Sequence, residues 1–476
     1  MRKAAKLLSM GALLFGAVGC ATSAAVPEPV TPLVRPDCRN DACREDAVNA
    51  FRRGVEEMRK ADAASSGWTE ETCRVVASLF TDAARSQSIT LEAQYNAAIV
   101  YERCDDVSAA RGVYQAILAE KPSFYQARGR LARIDVDPAY GGDVDAAIRE
   151  LTRAVEDASY RDPEALVELG RLQMRRNNVL KDSDGPSDFV RARKNFMRAL
   201  VASDGFMPAV NQLALYYLES AKRAAGTSSA TVSRGKAAAV LDERALDLAL
   251  LVASQGIKRA PNDPSLHNTL GLVLVELGDL TKAARQFDEA RKLDKRFFEA
   301  HMNFASVNMM FRGFHAAEGA YRSAVALHPD DYDARLGLAL SLRGQIDGDP
   351  NPEVKLAEAE KEIEKAKSLV PARPEAYFNH AILVQEYRGR GEGQEREKAL
   401  EHALQLYGEF VSRAKGKAEF AETVDDVVAV PAKPESECMT SASRADKACK
   451  RGRLLDVRDM LQFTRESSEP QAKLIQ

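Results

Sequence analysis

The chain has 476 residues, 45% hydrophobic and 29% charged, enough apolar content to pack a core and too much for wholesale disorder. Its 67 basic and 70 acidic residues leave a formal net charge of -3, without the basic excess of a nucleic-acid binder. No HExxH, GxxxxGK(S/T), helix-opening GxGxxG or GxSxG pattern occurs, so the composition points to a helical protein that binds or organises others rather than to an enzyme.

At the N-terminus, Arg2, Lys3 and Lys6 precede an apolar run over 7–19 that ends in small residues. Such a run is short for a bilayer span and has the charged flank of an export signal. Cys20 follows Gly19, and a small, Pro-rich stretch runs on to Pro36. The segment Ala17-Val18-Gly19-Cys20 resembles a bacterial lipoprotein signal. That resemblance implies cleavage of residues 1–19 and lipidation of Cys20, palmitate included. With Ala21 next, it also implies a periplasm-facing position on the outer membrane. Several acyl chains hold stably where one alone binds marginally. Residues 20–45 are then the lipidated terminus and its tether.

From residue 46 to 415 one period organises the chain. Leu270-Gly271 recurs 34 residues on as Phe304-Ala305, Ala283 as Ala317, Phe287 as Tyr321, Ala290 as Ala324 and Leu293 as Leu327. Small residues stand where two helices must approach, and large ones fill the space between. Ala98 with Ala110 and Tyr114, Ala132 with Ala147, Leu151 and Ala154, and Gly170 with Ala192, Phe196 and Ala199 repeat the pattern upstream. Ala214, Ala339 with Ala359, Ile363 and Ala366, and Ala381 with Ala399 repeat it around and beyond. Polar inserts at 138–142, 177–188 and 347–350 lengthen three turns, and a low-complexity loop precedes a helix over 241–258. Residues 46–90 read as a degenerate first copy with Gly54, Ala77 and Ala84.

This spacing resembles the tetratricopeptide repeat. The resemblance implies an all-α fold, a right-handed superhelical solenoid of about nine helical hairpins, because one hairpin cannot bury its apolar face alone. After Lys417 the pattern fails: residues 416–476 are expected to be a linker, with Pro431 and Pro434, and a short helical tail over 442–465 that caps the last repeat.

The repeat also narrows the cysteines. Beside Cys20 there are Cys38, Cys43, Cys73, Cys104, Cys438 and Cys449, an even set that suits an oxidising compartment. Antiparallel packing of the second helix of one hairpin on the first helix of the next brings Cys73 to Cys104. Cys38–Cys43 and Cys438–Cys449 follow as local pairs.

In such arrays the first helices line a groove. Asn96, Asn303 and Asn379 share one register there, and an amide both donates and accepts along an extended peptide. Asn303, Met309, Met310, Phe378, Asn379 and Gln385 are the candidate partner-binding residues, with methionine serving either as adaptable contact or as core. His267 and His301, 34 apart, fall at a packing position rather than at a metal site, and residues 355–367 form a solvated, ion-paired helix face. Catalytic residues, metal and cofactor are all expected to be absent, as are nucleic-acid partners and small-molecule substrates. The array and anchor are similar to repeat lipoproteins of deltaproteobacterial envelope machines. That similarity implies a scaffold for protein partners, as in gliding motility. Type IV pilus secretin assembly, polysaccharide export and an accessory role to a cell-wall-active enzyme are the alternatives.

Overall fold

The structure, a computed structural model, describes residues 35–63, 68–179, 181–182, 184–227 and 242–428, with 453, 457, 458 and 460 beyond them. The expected export signal, Cys20, Cys438 and Cys449 lie outside the described residues. Among the described residues the chain is all helix and turn, with no strand. Two units divide it between Gly278 and Asp279.

The first unit holds α1 (Asp41–Ala63), α2 (Glu70–Ala83), α3 (Thr90–Arg103), α4 (Val107–Glu120), α5 (Tyr125–Ile134) and α6 (Val144–Asp157). It continues with α7 (Pro163–Arg176), α8 (Asp188–Ala202), α9 (Met207–Thr227), α10 (Glu243–Arg259) and α11 (Pro264–Glu276). The second holds α12 (Leu280–Leu293), α13 (Phe298–Met310), α14 (Phe314–Leu327), α15 (Tyr332–Arg343) and α16 (Pro352–Leu369). It ends with α17 (Glu375–Glu386), α18 (Gly393–Ala414) and α19 (Ala421–Val428). Helices pair as successive antiparallel hairpins, α1 with α2 through α9 with α10 in the first unit, and α13 with α14 through α17 with α18 in the second.

Local chemistry sets the helix starts. Asp106, Asp143, Asp162, Asp242, Asp263, Asp279 and Asp331 each accept a backbone N–H from the first turn of the following helix. Each cap contributes about 1 kcal/mol. Pro163, Pro264 and Pro352 stand in first-turn positions, where the missing N–H costs nothing.

Packing follows the 34-residue pattern. Ala98, Ala110, Ala154, Ala192, Ala199, Ala283, Ala317, Ala359 and Ala381 are fully buried. So are the large residues at one register, Tyr114, Leu151, Phe196, Phe287, Tyr321, Ile363 and Tyr407. Their side chains fill the space left by small neighbours. A Cβ on Gly170 would lie 2.4 Å from Phe196, and one on Gly337 would lie 2.4 Å from Tyr321. Fully burying one such side chain is worth about 1.5–3 kcal/mol.

Polar side chains hold described residues of two inserts. Residues 138–140 make one 3-10 turn capped by Asp137. In the 177–188 insert, the buried Asp188 carboxylate accepts two bonds from Arg176, at 2.6 and 2.7 Å, and one from Arg191 at 2.6 Å. Burial alone would raise this carboxyl, but the two arginines outweigh it and hold it at about 2.

Helix α19 runs into the stretch expected as linker, because Phe420 and Val427 find apolar cover against α17 and α18. Val457 is fully buried in the same cluster, and Met460 packs beside it. No helix among the described residues is long and apolar enough to cross a membrane.

Candidate protein-binding surface

In the second unit, α13, α15 and α17 pack side by side as one layer, backed by their partners α14, α16 and α18. The six residues singled out on this layer do not share one environment. Met310 is 41% exposed and the adjoining Phe311 51%. Met309 and Met302 pack against the core of α13–α16 and are half-buried. Asn303 is half-buried on the same helix.

Asn379 turns its amide back on its own helix, donating to the Glu375 carbonyl at 2.8 Å, and its oxygen accepts from Arg343 at 3.3 Å. Asn96 does the same towards Glu92, and Asn308 towards Phe304, both at 2.8 Å. An i−4 carbonyl is the nearest unshielded acceptor for a short amide side chain on a helix. A peptide ladder along this register would therefore require Asn96 and Asn379 to leave those bonds.

Phe378 and Gln385 are engaged by the end of the chain. The Phe378 ring packs 5.0 Å from Phe410, and the Arg453 guanidinium lies 6.0 Å above it. The Tyr407 hydroxyl donates to Gln385 at 2.6 Å, and Arg453 approaches that hydroxyl at 3.5 Å and Glu386 at 3.8 Å. Burial pushes the Tyr407 phenol up to about 12. Burial also lowers the Arg343 guanidinium, against the attraction of Glu386. Arg343, Glu386 and Arg453 were not legible as a group, since 343 and 453 belong to no common period.

The histidines serve the backbone. His267 Nε2 lies 2.9 Å from the Pro261 carbonyl, and His301 Nε2 lies 3.0 Å from the Lys295 carbonyl. Arg335 donates from Nε to the Pro329 carbonyl at 2.6 Å, and Tyr377 from its hydroxyl to that of Pro371 at 3.2 Å. One register thus ties the preceding turn in several repeats, with imidazole, guanidinium or phenol equally fit to reach six residues back. Burial lowers the His301 imidazole.

Two disulfides are present among the described residues, Cys38–Cys43 and Cys73–Cys104. The second joins α2 to the end of α3. The first closes a loop pinned to the end of α2, where Asp37 and Cys38 donate to the Arg85 carbonyl and the Arg85 side chain binds Asp37 at 2.9 Å.

The tetratricopeptide repeat family matches residues 139–181 and 311–376. These hairpins are tetratricopeptide-like. The matched stretches contain α6 with α7, and α14 through α16. No curated protein matches the chain. Among solved structures, MamA from Desulfovibrio magneticus is 19% identical, over 43% of this chain and 97% of its own, with a TM-score of 0.32. A thermophilic repeat protein from Thermus thermophilus is 24% identical over 46% and 98%, with a TM-score of 0.36. Pseudomonas aeruginosa PilF is 14% identical over 56% and 97%, with a TM-score of 0.39.

Proposed function

We propose that the chain is a non-catalytic scaffold whose repeats hold protein partners in a bacterial envelope complex. The observation that carries the reading is the exposed Met310–Phe311 pair at the end of α13. It sits on a hairpin whose other large apolar side chains are buried or half-buried, so contact area is offered without reordering the backbone. The titratable groups nearby support a structural role. Glu318 is bound by Lys355, Gln345 and Arg322, and Arg335 is bound by Glu362.

Anchoring through a lipidated Cys20 would place the repeats on the periplasmic side of the outer membrane. A gliding-motility machine is the type of complex that the sequence resemblance favours. Crosslinking in intact cells, followed by recovery of the chain from membranes, tests the scaffold. Met310→Ser with Phe311→Ser should lose crosslinked partner chains while the melting temperature is kept. Undiminished recovery would remove this surface from the reading. Cys20→Ala should leave the membrane fraction, and identical fractionation of variant and wild type would defeat the anchor.

A further inference from the structure

A second surface lies in the first unit, on α8, the second helix of its hairpin. The turn between α6 and α7 and the outer face of α8 border an open cleft of about 700 Å³, within the range of pockets that hold ligand groups. Val190, Met197 and Val201 recur at helical spacing on one face of α8 and line it. Met197 is 51% exposed, and Val201 88%. Tyr160 forms the facing wall. It stands in a left-handed turn, with φ of 51° at Ser159 and 58° at Tyr160. The left-handed residues close the end of α6 through backbone bonds from Ser159 to the Glu156 carbonyl at 2.8 Å and from Tyr160 to the Val155 carbonyl at 2.9 Å. The turn aims the Tyr160 ring at Arg198, whose guanidinium lies 4.4 Å from the ring centre.

The rim is basic. Arg161, Arg193, Lys194 and Arg198 line the cleft, and none of its lining residues is acidic. A carboxylate from the preceding insert reaches two of these cations: Asp184 accepts from Arg198 at 2.7 and 3.0 Å and from Lys194 at 2.5 Å. The Arg198 bonds hold that carboxyl below its usual range. Asp184 thus shows how a carboxylate sits on this rim. It leaves a positive surplus, since neither Arg161 nor Arg193 has an ion-pair partner among the described residues.

We propose that this cleft docks an acidic segment of a partner protein, with one large apolar side chain seated between Tyr160, Met197 and Val201 and flanking carboxylates on Arg161 and Arg193. Charge complementarity selects the acid, and the open apolar floor offers contact to a large side chain. A flat anionic membrane would meet the cations but leave the floor empty. The site is separate from the α13 surface, so either can fail alone.

The test titrates the full chain with a labelled synthetic peptide in which two glutamates flank a phenylalanine on each side. Saturable binding that weakens with salt is expected, together with an at least about tenfold loss when glutamines replace the glutamates. Arg161→Glu with Arg193→Glu, and separately Met197→Ser with Val201→Ser, should each weaken binding by about tenfold. All four side chains are at the surface, so helicity and melting should stay at wild-type values. Absence of saturable binding, equal binding of the glutamine peptide, or affinity unchanged in both double variants would overturn the proposal. Loss of binding to phosphatidylglycerol vesicles in the charge variant, with peptide binding kept, would assign the cleft to a membrane and also overturn it.

Discussion

The first hairpins and the repeats of the second unit join neighbours by different means. Between α2 and α3 the link is covalent, Cys73–Cys104, with exposed ion pairs around it such as Arg103–Asp62. Between α14 and α16 it is ionic and shielded at Glu318 and Lys355. Glu318 binds Lys355 at 2.9 Å with both side chains under 20% exposed, and Arg322 bridges Glu318 to Glu358. Within the α15–α16 hairpin, Arg335 binds Glu362 at 2.6 Å with both side chains again under 20% exposed. The same hairpin is used in both places, but its position in the stack differs. The α1–α2 hairpin packs on a neighbouring hairpin on one side only among the described residues. Stability in an array is the sum of repeat and neighbour-interface terms, so an end hairpin lacks one interface. A crosslink restores part of that deficit by restricting the unfolded chain, whereas exposed ion pairs contribute only about 0–1 kcal/mol each.

The largest expected effect lies where the two regions are alike. Phe80 fills the space over Gly54 as Tyr321 does over Gly337. Phe80→Ala and Tyr321→Ala should each cost about 3–5 kcal/mol in chemical denaturation. A small loss for Phe80→Ala alone would show that the first hairpin does not fold with the rest. Next comes the crosslink. Cys73→Ser with Cys104→Ser should destabilise by about 3 kcal/mol, the loop spanning 31 residues of sequence. Hydrogen exchange should place that loss in residues 41–104 and leave the second unit protected.

Smaller, and opposite in location, is Glu318→Gln, expected to cost about 1–3 kcal/mol by leaving Lys355 poorly matched. Burial works against the Glu318 carboxylate, but Lys355, Gln345 and Arg322 hold it down to about 2. Its folded value lies below the ordinary carboxylate value of about 4.3. The contribution is therefore complete above that value and is lost as pH falls from there through about 2. Thermal melts across this window should be flatter for the variant. An unchanged pH slope would show that the ionic network does not join the repeats. The smallest effect should be His301→Leu, about 0.5–1.5 kcal/mol for the bond to the Lys295 carbonyl, measured by the same denaturation.

The periodic positions were readable because their constraint is local in form. A close helix crossing admits Ala or Gly, and the position one turn on is large, as Ala283 with Phe287 and Ala317 with Tyr321 show at one spacing. The Cys73–Cys104 pair was readable for the same reason, since antiparallel packing of adjacent hairpins fixes which helix ends meet. The groove residues were less so. Position in the repeat places Asn379 and Gln385 on the first helix of one hairpin. It does not reveal that Arg343 and Tyr407 take their polar atoms, or that Arg453 reaches Phe378.

By itself, then, the sequence determined the hairpin helices, their order and most of the buried positions, though Ala77 and Ala399 are only half-buried, because caps, apolar spacing and small–large alternation act over neighbouring residues. Only the tertiary structure decided which surface groups remain open. Met310 and Phe311 stay exposed, whereas Phe378 is covered by a residue 75 positions away in sequence numbering, Arg453. The basic cleft of α8 likewise depends on a left-handed turn at Ser159 and Tyr160. Side chains from different periods meet there through packing, and no repeat spacing encodes such a meeting.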